Sequence, residues 1–286
     1  MAVSGPLVLA TRKSPLALRQ SEMVAATVRE KLGLEVELLP LVTTGDRQTK
    51  WSLEQSGGKG LFTKELEDAL LDGRADLAVH SAKDMPTEMP AGLKLVAFLP
   101  REDPADILVT KQGVNQPKII ATGSPRRRAQ AVQIFPGAQW MELRGNVETR
   151  LKKIAEGREA EATLLAAAGL NRLQIAQFPG LEFRALTLDE MVPAPGQGAI
   201  AVQARSEDRS LFQKISDQAT EHAVRIERSI LTVFGGGCQV ALGAHYSEVD
   251  DQLSFFHEKC GIKKLSLKGK VESDWKKELI AWTTES

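Results

Sequence analysis

What this sequence has little of already narrows its function. Two cysteines, Cys238 and Cys260, cannot frame a disulfide scaffold for 286 residues. With only four histidines, no CxxC and no HxxxH pair, no metal site is expected. Aromatic residues make up 5 % of the chain, too few to offer many stacking platforms to single-stranded nucleic acid. The 37 Lys+Arg balance the 37 Asp+Glu, which excludes a protein held to nucleic acid or a membrane by bulk positive charge. The longest apolar run, near Ala162 to Leu170, is far too short to span a bilayer. The start, Met-Ala-Val-Ser-Gly-Pro, lacks the basic and then apolar pattern of a secretory signal. The expectation is a cytoplasmic protein with no nucleic-acid or membrane partner.

What is present is an alternation of strands and helices. Leu7 to Thr11 reads as a buried strand, followed by Ser14-Pro15 as an N-cap and first helical residue, and by a helix running to Gly33. The unit recurs at Lys118 to Thr122 with Ser124-Pro125, and at Gln139 to Leu143 with Asn146. Such alternation predicts crossover connections and a mainly parallel sheet. The polar stretch 45–60 is long for a connection in a compact domain and reads as a mobile functional loop or lid. After an amphipathic helix over Glu221 to Phe234, the remainder reads as a small α+β unit. The fold class is therefore α/β, with two doubly wound domains and a small α+β C-terminal domain. Domain 1 is assigned 1–99 and 196–216, domain 2 is assigned 100–195, and domain 3 is assigned 217–286.

Two glycine patterns fail on inspection. Gly58-Lys59 lacks both the upstream glycine and the Ser/Thr of a P-loop. Gly196-Gln197-Gly198-Ala199-Ile200-Ala201 matches GxGxxA, but prolines precede it and a strand follows, so a tight turn at a domain crossover fits better. The positive charge is more informative. Between Lys118 and Arg158 nine positive residues face three negative ones, a local net of +6 inside a neutral chain. Arg126, Arg127, Arg144 and Arg150 fall at predicted helix starts, where parallel strands end and helix N–H groups favour anions. Arg12 and Ser14 occupy the matching place after the first strand. Arginine forks suit carboxylate or phosphate, so the ligand should carry several anionic groups.

His80-Ser81-Ala82-Lys83-Asp84 follows another strand end. Asp84 among basic loops can stabilise a cation or move a proton, although a Lys-Asp pair after a strand is also an ordinary surface turn. Gly235-Gly236-Gly237-Cys238 exceeds what a helix C-cap needs, and it leaves Cys238 free to act as a nucleophile or tether. A small buried cysteine is the plain alternative there.

Six segments together resemble the porphobilinogen deaminase family: Ala10 to Leu18, Gly57 to Phe62, Ala78 to Asp84, Leu143 to Leu151, Pro195 to Ala199, and Gly236 to Val240. They occur in the family's order and span nearly the whole chain. The resemblance implies an enzyme of heme (porphyrin, tetrapyrrole) biosynthesis, a transferase that joins four porphobilinogen units with loss of ammonia into the linear tetrapyrrole hydroxymethylbilane. It implies a dipyrromethane cofactor attached through a thioether to Cys238, and Asp84 as the catalytic carboxylate. Lys83, Thr122, Ser124, Arg126, Arg127, Arg144 and Gly145 match cofactor-binding positions. Arg12, Ser14, Arg150 and Arg172 match substrate-binding positions, and Lys59 and Phe62 belong to the active-site loop. Two domains like those of periplasmic binding proteins, a third bearing the cysteine, and a monomer are implied as well. The chain departs from the pattern at Gln55, often lysine, and at Pro125, often leucine. A non-catalytic two-lobed anion-binding or ligand-sensing protein is the alternative, since fold alone does not give function.

Overall fold

A computed structural model describes residues 5–47, 62–235 and 240–284. Its first sheet has the strand order β2-β1-β3-β10-β4, from β1 (Leu7–Arg12), β2 (Val36–Leu41), β3 (Leu77–Ser81), β4 (Leu93–Phe98) and β10 (Ile200–Arg205). The second has the order β7-β6-β8-β5-β9, from β5 (Asp106–Lys111), β6 (Ile119–Ala121), β7 (Gln139–Met141), β8 (Ala162–Ala166) and β9 (Leu181–Ala185). Strands of the same role occupy the same slot in each, so the lobes share one topology without visible sequence repetition. In each sheet four of the five strands run the same way, the mainly parallel arrangement expected, and one strand runs against them. β10 runs antiparallel to β3 and β4, and β5 runs antiparallel to β8 and β9. Each of these antiparallel strands enters its sheet along the crossover from the other lobe, a connection that local pattern does not reveal.

Helices cover both faces of each sheet because strand side chains alternate. In lobe 1, Leu7 and Leu9 meet Val24 and Val28 of α1 (Pro15–Leu32), while Ala10 and Ala78 meet Leu66 and Leu70 of α3 (Lys64–Leu71). A short helix, α2 (Thr44–Arg47), lies between them in the chain. In lobe 2, Leu108 and Leu164 meet Ala131 of α4 (Pro125–Ile134), and Val109 and Leu165 meet Leu151 of α5 (Val147–Glu156). The helix starts follow the sequence reading. Ser14, Ser124 and Asn146 cap α1, α4 and α5 with their side chains, and Pro125 occupies the first turn of α4.

The chain passes between lobes twice, near residues 99–105 and 192–199. Glu102 N–H donates to Gly198 O at 3.1 Å. Gly198 has φ +88°, and a Cβ there would lie 2.2 Å from Glu102 O, so the GxGxxA pattern serves a close backbone crossing. After α6 (Ala167–Arg172) and α7 (Arg209–Phe212), the third unit combines α8 (Gln218–Val233), the antiparallel strands β11 (Leu242–Ser247), β12 (Gln252–His257) and β13 (Gly261–Ser266), and α9 (Glu272–Thr284). Its core gathers Ile230, Leu253, Phe255, Trp275 and Leu279. No helix among the described residues is long and apolar enough to cross a membrane.

Candidate active site

The site lies where strand ends of the two lobes face each other. β3 runs into a single tight turn over Ala82–Asp84. Lys83 donates from Nζ to Gln197 Oε1 at 3.1 Å, on the crossover. Burial pushes the Lys83 ammonium down to about 8, with the charges of Arg127 and Arg126 adding to the shift and those of Asp84 and Asp106 opposing it. Asp84 is exposed, and its charge also acts on Arg127 and Arg150. One carboxylate thus stands among cations contributed by the opposite lobe.

Arg126 and Arg127 lead α4, and both are buried. Arg126 binds Asp106 through Nη1 at 2.8 Å and Nη2 at 3.2 Å, and its Nη1 also donates to Val192 O at 2.8 Å. Arg127 binds Asp106 through Nε at 2.8 Å and Nη2 at 2.7 Å, and its Nη1 donates to Leu164 O at 2.8 Å. Burial works against ionising Asp106, but the two guanidinium charges overcome it and hold the carboxyl far below the usual carboxylate range. These two arginines are therefore built into a buried ion triad before any ligand is considered.

Arg144 and Arg150 differ. Arg144 Nη2 is buried without a hydrogen-bond partner among the described residues, and its Nε lies 3.8 Å from Glu142. Arg150 Nε donates to Gly145 O at 2.8 Å. Burial, then the charges of Arg127 and Arg144, lower Arg150 to about 10. Gly145 sits at φ +121°, next to Asn146, whose side chain accepts from Thr149 N–H at 2.8 Å to start α5. Thr122 Oγ1 accepts from Ser124 N–H at 3.2 Å, and Ser124 Oγ accepts from Arg127 N–H at 3.4 Å.

On lobe 1, Ser14 caps α1 and Arg12 ends β1. Arg12 pairs with Asp46 and places its guanidinium 4.2 Å from the Phe62 ring centroid. Asp46 is in turn held by Thr43, which donates from N at 3.2 Å and Oγ1 at 2.7 Å. Arg172 stands apart from the cluster. Its Nη2 donates to Gly198 O at 2.6 Å, while its Nε is buried without a partner among the described residues. Cys238, Lys59 and Gln55 lie outside the described residues. His80 is a buried strand residue bonded to Gln203 Oε1 at 3.0 Å, and burial pushes it down to about 4, so it stays neutral near neutral pH.

The sequence reading missed Asp106, Gln197 and Glu227, although a signal existed for the last. Glu227 falls on the apolar stripe of α8 with Thr220, Val224, Ile230 and Leu231, and a carboxylate there requires partners. It receives Arg101 Nη1 at 2.6 Å and Nη2 at 3.0 Å, and the Gly196 N–H at 2.7 Å.

A family profile described as "Porphobilinogen deaminase, dipyromethane cofactor binding domain" matches residues 7–213. The porphobilinogen deaminase of Sulfurimonas denitrificans is 45 % identical over 86 % of this chain and 80 % of its own. That of Caulobacter sp. is 43 % identical over 84 % of this chain and 79 % of its own. Among solved structures, an ancestral cationic amino acid solute binding protein is 14 % identical, with a TM-score of 0.44 over 80 % of this chain and 92 % of that one. With the profile spanning most of the chain and relatives this similar, the chain belongs to the porphobilinogen deaminase family.

Proposed function

We infer that this protein polymerises four porphobilinogen units into hydroxymethylbilane, releasing ammonia at each addition, from a dipyrromethane primer on Cys238. One observation carries the reading: an exposed carboxylate, Asp84, acts on lobe 2 cations, and one donor of that set, Arg144 Nη2, is buried with no hydrogen-bond partner among the described residues. A dipyrromethane fits that donor set, since its acetate and propionate groups suit the Arg144 and Arg150 forks and the Lys83 ammonium. When bound, the cofactor supplies a tethered primer whose free end accepts the first unit.

The chain's own residues then divide the work. Arg12, Ser14, Arg150 and Arg172 orient the carboxylates of the incoming pyrrole, and Lys83, Thr122, Ser124, Arg144 and Gly145 hold those of the primer, with Arg126 and Arg127 adding their charge from the Asp106 triad. Asp84 stabilises the positive charge left on the substrate pyrrole as its amine departs, and it moves protons between the ring nitrogen and the leaving group. Lys59 and Phe62 are assigned to the active-site loop. The three-domain division given above, a monomeric state and a cytoplasmic setting belong to the same proposal.

Intact-mass measurement of the purified protein tests it. An adduct equal to two pyrrole units is expected, lost in Cys238→Ser. Asp84→Asn should keep the adduct and abolish ammonia release from porphobilinogen. An unmodified mass in an active preparation, or near-normal turnover by Asp84→Asn, refutes the corresponding part.

A further inference from the structure

The turn carrying Lys83 and Asp84 is held by a side chain outside the cleft. Arg228, on α8, sets its guanidinium against three backbone carbonyls. Its Nη1 donates to Ala82 O at 3.3 Å and Met85 O at 2.9 Å, and its Nη2 donates to Pro86 O at 2.6 Å. These carbonyls bracket Lys83-Asp84 in the chain. From another direction the crossover presses on the same turn. Ala82 N–H donates to Ala199 O at 3.0 Å, and a Cβ on Gly196 would lie 3.1 Å from Ala82 Cβ. The preceding residue of α8, Glu227, fixes that crossover by accepting from Gly196 N–H. Consecutive residues of one helix therefore grip the crossover and the turn. In the chain, Cys238 follows this helix.

We propose that Arg228 is a positioning residue for Asp84, setting the catalytic carboxylate by holding the backbone of its turn from the third domain. Asp84 is exposed at the end of that turn, so its placement follows the backbone. A guanidinium is the one side chain able to donate to several convergent carbonyls from a rigid plane, and lysine's point charge reproduces only part of this. Placing the grip on α8 ties the geometry of the carboxylate to the element that precedes the tethered cofactor. This inference rests on the role of Asp84 proposed above.

The site also offers a direct test. A cavity of about 230 Å³ adjoins Arg228, lined among others by Thr87, Met89, Phe98, Arg225 and Ser229. In full-length, cofactor-loaded Arg228→Ala it gives a small guanidinium ion a route to the three carbonyls. Misplacing a reacting group by about 1 Å costs on the order of a hundredfold in rate, so kcat should fall about ten- to a hundredfold with KM within about twofold. The two-pyrrole adduct should remain by mass. Millimolar methylguanidinium should recover kcat where methylammonium does not, and Arg228→Lys should lie between parent and Arg228→Ala.

A folded, loaded Arg228→Ala protein with parental kcat overturns the proposal. So does a loss that neither methylguanidinium nor Arg228→Lys recovers, because a merely structural defect behaves that way. If Arg228→Ala does not accumulate as folded, loaded protein, Arg228→Lys decides: reduced kcat at parental KM supports the proposal, and parental kcat overturns it. A parent protein that releases no ammonia from porphobilinogen instead refutes the activity, a result separable from any of these.

Discussion

Arg126 and Arg127 follow the end of β6, as Arg144 and Arg150 follow the end of β7, yet the two pairs have opposite surroundings. The first pair is buried around Asp106, with Val192 O and Leu164 O taking further donors. Among the described residues, the second pair's ion-pair neighbour is Glu142 at 3.8 Å from Arg144, and one buried guanidinium nitrogen has no partner. A cluster that looks uniform in sequence is thus part scaffold and part open site. The scaffold pair lends its charge to the cleft, as the downward push on Lys83 and Arg150 records, while its position is fixed by Asp106. The open pair has donors still to satisfy, which a ligand carboxylate answers.

The largest effect should come from breaking the scaffold side. Asp106→Asn leaves two buried guanidinium groups with no counter-charge, and removing one partner of a buried ion pair costs about 3–5 kcal/mol. Urea denaturation should show that loss even in cofactor-free protein. A cost below ~1 kcal/mol, the range of exposed pairs, would move Arg126 and Arg127 to the open side of the comparison.

The open side should respond in the reverse manner. Arg144→Leu and Arg150→Leu should each leave stability within ~1 kcal/mol of the parent. Losing a hydrogen bond to a charged group costs about 1.5–3 kcal/mol, so kcat/KM for porphobilinogen should fall roughly ten- to a hundredfold. Steady-state kinetics beside denaturation curves separates the two outcomes. Unchanged kinetics in both variants would make these arginines ordinary surface residues.

The contrast also shows what the sequence could carry. Strand-to-helix units with Ser14, Ser124 and Asn146 as caps were readable because a cap acts within three residues of itself. The excess of positive charge over Lys118 to Arg158 was readable too, but its neutralising partner was not. Asp106 stands at the start of β5, outside that stretch, and reaches Arg126 and Arg127 only through the antiparallel pairing of β5 with β8. β10 escaped as an antiparallel strand for the same reason, since its neighbours β3 and β4 lie more than a hundred residues away in the chain. Local chemistry was legible, and partnerships made by the crossovers were not.

Lys83 gives a smaller, pH-dependent reading of the same balance. Its ammonium is held down to about 8, below the ordinary lysine value, by burial and by the charge of Arg127. The positive charge is therefore complete below that pH and is lost above it. Affinity for an anionic substrate should decline on the alkaline side, with kcat/KM falling as the pH rises past about 8. Bound carboxylates draw the limb upward, since they favour the charged form. Lys83→Arg retains its charge throughout and should lack this limb. Identical alkaline profiles for parent and Lys83→Arg would assign the limb to another group.

The smallest effect concerns Ser124, which touches both sides of the comparison. Its Oγ accepts from Arg127 N–H at 3.4 Å, a scaffold role, while its hydroxyl hydrogen is of the kind a ligand carboxylate accepts. Ser124→Ala should cost ~1 kcal/mol through loss of the cap. Ser124→Asp retains a capping oxygen at the helix N-terminus, so stability should hold, but it replaces the donor with a negative charge. If Ser124 faces the ligand, Ser124→Asp should raise KM more than Ser124→Ala does, although it is the more stable of the two. Equal KM values would leave the hydroxyl wholly to the helix, because a cap-only residue has no means of distinguishing a donor from an added charge.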